Sequence, residues 1–240
     1  MELKDKKILV VGVGKGLGPA TVYLLLKHGA EVVMASRTLD RLELLKSELS
    51  VYGRLSFVVS DASTPEGANY IISEAIKQLG QIDGLVILVG NYTDTPIDML
   101  DEHGLNEMIN ANLKGPLYLI KSSLQYLKNG SSIVMISSTL GTYATGIGNV
   151  AYSSTKAGVA KATEVLALEL IPRGIRVNSV APKSMRHDFV PGRDWKTYRK
   201  LGDSECPPED VAVVIAWLLS EDASWVNGAV IPVDGGNRRQ

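Results

Sequence analysis

The sequence predicts an α/β fold, a doubly wound parallel sheet of seven strands with helices on both faces, giving three α/β/α layers. Two observations carry this expectation. Short β-branched runs, Ile8 to Val11, Glu31 to Ala35, Leu55 to Val59, Leu85 to Val89, Ile133 to Ile136, Arg176 to Val180 and Val230 to Val233, hold apolar residues at consecutive positions, as strands buried on both faces do. Longer amphipathic segments separate them, and such alternation makes the strands parallel and puts ligands at their carboxyl ends.

Taken in order, the first strand runs into Gly12-Val13-Gly14-Lys15-Gly16-Leu17-Gly18 and an apolar helix, which Gly29 stops after Lys27 and His28. After the second strand, Leu39, Leu42, Leu45 and Leu49 recur at the spacing of one helical face. The fifth strand closes on Ser137-Ser138 and leads past Gly141 to a segment Ala151-Tyr152-Ser153-Ser154-Thr155-Lys156-Ala157-Gly158. Beyond the sixth strand, Lys183 to Pro208 shows no period, and a loop of that length in a compact domain is usually functional. It is read as a substrate lid, about 183–208, on a single domain covering residues 1–240.

With 240 residues and 45% hydrophobic content, the chain can bury a sizeable core. A formal net charge of -1 offers no attraction for nucleic acid or an anionic membrane. No apolar run approaches the ~18 residues of a membrane span, and the charged start, Met1 to Lys7, is unlike a signal peptide. Cys206 is the single cysteine, so no internal disulfide forms. A cytoplasmic protein is expected, without nucleic-acid or membrane partners. His28, His103 and His187 share no ligand spacing, so no metal site is expected.

The glycine turn suits a pyrophosphate, because glycine lets the backbone turn sharply and a helix N-terminus favours the charge. Its spacing is G-x-x-x-G-x-G through Gly12, Gly16 and Gly18, since Leu17 occupies the last place of the strict G-x-G-x-x-G pattern. An acidic residue at the end of the second strand would bind a ribose 2′-hydroxyl. That place holds Ser36 and then Arg37, whose planar fork suits a 2′-phosphate, and Lys15 can add a second positive charge. NADP is therefore the expected cofactor, with NAD as the alternative.

Tyr152 and Lys156 stand four residues apart, on one face of a helix. A phenol titrates near ~10, and an adjacent cation favours its ionised form, which makes the pair an acid/base device.

With the glycine turn, the Ser137-Ser138 pair and Tyr152-x-x-x-Lys156 in this order, the chain resembles the short-chain dehydrogenase/reductase family over nearly its whole length, in particular its 3-oxoacyl-acyl-carrier-protein reductases. Asp61, Asn112-Leu113-Lys114-Gly115, Pro172 to Asn178 and Val233-Asp234-Gly235-Gly236 extend the likeness. The resemblance implies a Rossmann-like fold and a hydride transfer between nicotinamide and a carbonyl or secondary alcohol. It implies Tyr152 as general acid or base, Lys156 lowering its pKa, Ser138 bonding the substrate oxygen and Asn112 holding a proton-relaying water. It adds Asp61, Ala62, Val89, Gly90 and Pro182 to the cofactor contacts, along with Gly14 and Leu17. Ser138 lies one residue further from Tyr152 than the family's spacing, at which Thr139 falls; Ser138 is preferred for its position three before Gly141.

The chain departs from the family at Val11, at Ile87-Leu88-Val89-Gly90 in place of Asn-Asn-Ala-Gly, at Lys183 in place of glycine and at His187 in place of threonine. His187 and Tyr143 are candidate substrate contacts, Tyr92 follows a strand end toward the same place, and Lys183 either reshapes cofactor contacts or is an exposed loop residue. In the lid, Phe189, Trp195 and Tyr198 offer an apolar wall, and Arg186, Arg193, Lys196, Arg199 and Lys200 could attract an anionic group. Family members commonly assemble through the helices carrying Asn112 and Tyr152, so a homotetramer or homodimer is expected, its stripe drawn from Ala157, Val159, Ala160, Ala162, Ala167 and Leu168. The expected partner is a small carbonyl or alcohol. The rival reading is a non-catalytic NADP-binding sensor or scaffold, motivated by the altered fourth strand and by Lys183 and His187.

Overall fold

The computed structural model describes residues 1–144 and 146–237. β1 (Lys7–Val11) leads to α1 (Leu17–Lys27), β2 (Glu31–Ser36), α2 (Leu39–Leu49), β3 (Leu55–Val59), α3 (Pro65–Leu79) and β4 (Ile82–Ile87). Then come α4 (Glu102–Ile109), a π turn at Asn110–Lys114, α5 (Gly115–Ser123), β5 (Leu127–Ile136), α6 (Val150–Glu169) and β6 (Arg176–Pro182). The chain ends through two-residue strands β7 (Ser184–Met185) and β8 (Glu205–Cys206), α7 (Pro208–Leu219) and β9 (Val230–Val233).

Seven strands form one parallel sheet in the order β3-β2-β1-β4-β5-β6-β9, as expected. Because strand side chains alternate, Ile8 and Val10 of β1 join a core with α1, α2 and α7, while Leu9 and Val11 join one with α3, α5 and α6. The chain moves outward from β1 to β3, then crosses back to add β4 on the other side of β1. The loops leaving β1 and β4 therefore diverge, and a crevice opens at the carboxyl edge.

Local signals set the helix ends. Thr64 caps α3 by accepting from Gly67 N at 3.1 Å, with Pro65 at the first helical position, and Asp101 caps α4 by accepting from Gly104 N at 2.7 Å. Gly29, at φ 88°, follows the end of α1 as the sequence suggests.

Two expectations need correction. The fourth strand runs Ile82–Ile87 rather than to Val89; Leu88 N makes the last bond to β1, to Val11 O at 2.7 Å, and Leu88 and Val89 then cross Gly12. Leu39 does not share the buried face of Leu42, Leu45 and Leu49; at the first residue of α2 it is 45% exposed. The 183–208 stretch contains only the short parallel β7–β8 pair and a single 3₁₀ turn at Trp195–Tyr198. Among the described residues no helix is long and apolar enough to cross a membrane.

Candidate active site

The crevice beside β1 and β4 begins at Gly12. At φ 91°, a Cβ there would lie 2.5 Å from Val89 N and 2.7 Å from the Leu88 carbonyl carbon, so the ends of β1 and β4 can touch only through glycine. Ile87 and Val89 pack into one core and Leu88 into the other, so apolar contact takes over where the family has two amides.

A cavity of about 410 Å³ continues from this contact, lined by Gly12, Gly14, Ser36, Arg37, Asp61, Ala62, Val89 and Gly90, all of them expected cofactor residues. Arg37 Nη1 lies 3.7 Å from Asp61 Oδ2 on its exposed rim. Partial burial works to raise the Asp61 carboxyl, yet Ser63, through its N–H and hydroxyl, and Arg37 outweigh it and hold the group below the usual carboxylate range. Ser36 Oγ accepts from Thr38 N at 3.2 Å. Lys15 is exposed and does not line the cavity, whereas Arg41, not singled out from sequence, does. Arg41 lies in the first turn of α2, four residues past Arg37, which precedes the helix. Gly16, Leu17 and Gly18 open α1, and the Arg186–His187 backbone crosses the turn 3.0 Å from where a Gly16 Cβ would be. Shape and charge fit a dinucleotide: a glycine cradle without side chains, a cavity of suitable size, and two guanidiniums at its outer end.

Deeper along the same edge, α6 carries Tyr152 and Lys156. Lys156 is 3% exposed, and its ammonium donates to Ile136 O at 2.9 Å and lies 5.8 Å from the Tyr152 ring centroid. Burial pushes its pKa down to about 8. Ser137 Oγ donates to Lys156 O at 2.9 Å, and Gly141, where a Cβ would meet the Lys156 carbonyl carbon at 2.5 Å, brings the loop after β5 onto α6. That contact delivers Ser138, which hydrogen-bonds Tyr152 and also accepts from Leu140 N at 3.2 Å. Of the two hydroxyls considered, it is Ser138 that meets the phenol.

One expectation runs the other way. Burial raises the Tyr152 phenol, and the Ser138 hydrogen bond opposes that only in part. The Lys156 ammonium, 5.8 Å from the Tyr152 ring centroid, is directed at Ile136 O.

Asn112 lies fully buried in the π turn, a helical irregularity frequent at functional sites. Its Oδ1 accepts from Asn91 N at 2.6 Å, and its Nδ2 donates to Asn91 O at 2.9 Å and to Thr155 Oγ1 at 3.1 Å. Thr155 Oγ1 donates in turn to Tyr152 O at 2.8 Å. Thr155 was not legible as a site member, since its role depends on Asn112, a partner distant in sequence.

The 183–208 stretch makes contacts other than those expected. Arg193 is bound to Glu209 and Asp188, and Arg199 to Asp210 at 2.8 and 3.0 Å, so both arginines anchor the lid to the first turn of α7. Phe189 packs on Tyr23, Trp195 Nε1 donates to Asp210 Oδ1 at 3.2 Å, and Tyr198 lies under Arg193. Phe189 and Trp195 thus pack toward α1 and α7, while Tyr198 is half exposed. His187 is exposed; Tyr143, 40% exposed, donates its hydroxyl to Asp234 Oδ2. Pro182 ends β6 beside Val233, and Lys183 N continues that pairing to Val233 O at 3.2 Å.

A Rossmann-type sheet with a glycine cradle at the switch point and a Ser-Tyr-Lys-Asn cluster beyond it defines a dinucleotide-dependent oxidoreductase. Comparison with known proteins agrees. The family model described as enoyl-(acyl carrier protein) reductase matches residues 12–238. The chain is 32% identical to 3-oxoacyl-(acyl-carrier-protein) reductase FabG of Thermotoga maritima over 98% of this chain and 99% of that one. It is 31% identical to 7alpha-hydroxysteroid dehydrogenase of Bacteroides fragilis over 97% and 94%. A short chain dehydrogenase of Burkholderia cenocepacia, solved in complex with NADP, superimposes with a TM-score of 0.90 at 26% identity, covering 99% of both chains. The protein belongs to the short-chain dehydrogenase/reductase family. It is an NAD(P)-dependent oxidoreductase that acts on alcohol and carbonyl groups of small molecules.

Proposed function

We propose that the protein is an NADP-dependent oxidoreductase that interconverts a carbonyl and a secondary alcohol, with Tyr152 as general acid in reduction and general base in the reverse direction. The observation that carries this reading is the convergence of Asn112, Ser138, Tyr152 and Lys156 on one point of the sheet edge, beside a glycine cradle with Arg37 and Arg41 at its far end.

When bound, the dinucleotide supplies or accepts hydride at the substrate carbon. As reduction places negative charge on the substrate oxygen, Ser138 and Tyr152 stand ready as preoriented donors. Tyr152, a phenol that burial raises further, gives its proton to that oxygen. Lys156 is then the nearest cation to the phenolate, and Asn112 fixes the Asn91 backbone beside it. Arg37 and Arg41 would hold a 2′-phosphate, and Asp61 and Ala62 the adenine end.

The same reading takes residues 1–240 as one domain with a lid over about 183–208, located in the cytoplasm. It includes a homotetramer or homodimer formed through α5 and α6, where Leu117, Val165 and Leu168 are exposed while Val159 and Ala167 are core residues.

NADPH oxidation followed with ketones, oxoacyl thioesters and aldehydes, together with Tyr152→Phe, tests it. Turnover that falls by about 10²–10⁴ in Tyr152→Phe with NADPH affinity preserved is expected. NADPH binding without turnover on any of these would favour a sensor or scaffold.

A further inference from the structure

Tyr92 stands edge-on to Tyr152, ring centroids 4.7 Å apart and planes at 84°. In this arrangement the positive edge of one ring meets the negative face of the other. The Tyr92 ring is fixed at both ends. At its base, Tyr92 N donates to Asn91 Oδ1 at 3.0 Å, and the Asn91 backbone is itself held on both its N–H and its carbonyl by Asn112. At its tip, the hydroxyl donates to Asp94 Oδ1 at 2.5 Å and meets Asn149, the residue before α6. The ring is thus fastened to the two elements that position Asn112 and Tyr152.

The Tyr92 phenol is no rival proton donor. Its hydrogen bond to Asp94, with burial and the Asp94 charge, pushes it up to about 12. What it brings to the site is a rigid aromatic surface with two χ angles and both polar ends satisfied.

Resting on the reading of Tyr152 as proton donor, we propose that Tyr92 is a positioning residue whose ring holds the Tyr152 ring at the angle that keeps its hydroxyl on Ser138 and on the incoming substrate oxygen. The ring, not the Tyr92 hydroxyl, does this. Tyr92→Phe keeps the edge-to-face pair and loses only the hydroxyl, whereas Tyr92→Leu loses the ring as well.

The test compares both variants with wild type and Tyr152→Phe, by steady-state reduction and by NMR of protein labelled at tyrosine ¹³Cζ, where the Tyr152 signal is the one missing in Tyr152→Phe. Tyr92→Leu is expected to lower kcat about tenfold, which a ring pair of this kind can supply, with the KM for NADPH unmoved. Tyr92→Phe is expected to restore most of kcat. The Tyr152 signal should move in Tyr92→Leu and stay near its wild-type place in Tyr92→Phe. A Tyr152 signal unmoved in Tyr92→Leu overturns the proposal whether or not any substrate is reduced, as does equal loss of kcat in the two variants. A fully active Tyr152→Phe would instead sink the proton-donor reading, while a shifted Tyr152 signal would still report the ring contact.

Discussion

Arg193 grips Glu209 with two hydrogen bonds, Nε to Oε1 at 2.6 Å and Nη2 to Oε2 at 2.9 Å, where the glutamate side chain is only 2% exposed. Nη1 of the same guanidinium reaches Asp188 Oδ2 at 2.5 Å. One side chain therefore joins Asp188, near the start of the 183–208 stretch, to the first turn of α7. Removing one member of a buried pair strands the other charge, at a cost of about 3–5 kcal/mol. Arg193→Ala is expected to lose about that much in urea unfolding and to raise the KM for substrate as the lid loosens. A loss below about 1 kcal/mol would show that the lid is held elsewhere.

Cofactor choice can be separated from cofactor binding at Arg37. Its guanidinium is exposed and its ion-pair partner Asp61 lies 3.7 Å away on the rim of the cavity, so the fork is free to turn toward a phosphate. Hydrogen bonds to charged groups contribute ~1.5–3 kcal/mol, or about 10- to 100-fold in affinity. Arg37→Ala should weaken NADPH by this factor and NADH much less, and Arg41→Ala should act in the same direction. Fluorescence titration with both dinucleotides at two salt concentrations checks it, since an exposed cation's contribution shrinks as salt rises. Equal losses for the two dinucleotides would remove Arg37 from the 2′-phosphate.

Lys156 makes a prediction about stability. Burial takes its pKa from 10.5 to about 8, so between these values the unfolded chain holds a proton that the folded protein has released. Stability therefore climbs as pH rises from about 8 to about 10.5, and at pH 7 the buried charge costs up to about 3 kcal/mol. Lys156→Met should be inactive yet more stable than wild type at pH 7, less what Ile136 O loses with its donor, and the gap should narrow toward pH 10.5. Thermal unfolding at pH 7 and pH 10 decides this. A variant less stable than wild type at pH 7 would mean that the site offsets the desolvation.

The sheet was legible because buried parallel strands leave continuous apolar runs, and the site's location because the glycine turn follows β1. What the sequence leaves open is direction and partnership. The i, i+4 spacing puts Tyr152 and Lys156 on one face but says nothing of burial, which reverses the expected shift of the phenol. Lid arginines look like anion receptors until Glu209 and Asp210, readable only as acidic residues opening a helix, are found beneath them. Between Ser138 and Thr139, counting back from Tyr152 and counting to Gly141 disagree, and the count to Gly141 is the informative one because Gly141 is where the loop meets α6. Arg41 was hidden as one more cation on an amphipathic helix.

Gly90 separates geometry from fold. Its φ is not in the left-handed region, so alanine is tolerated by the backbone, but a Cβ there would sit 3.0 Å from Asn112 Oδ1 and 3.1 Å from Lys156 Nζ. Both groups would have to give by a few tenths of an ångström. Asn112 resists, being held by three hydrogen bonds, so the displacement should fall mainly on the lysine stem and its bond to Ile136 O. Overpacking a tight site typically costs ~1–3 kcal/mol, which a stable domain of this size survives. Gly90→Ala is therefore expected to fold, with Tm lowered by a few degrees, while kcat falls by about 10²-fold because small misplacements at reacting groups are amplified in rate. Circular dichroism melting alongside kcat and KM checks both halves. Full activity in a folded Gly90→Ala protein would mean that Asn112 and Lys156 need not hold these positions for proton transfer.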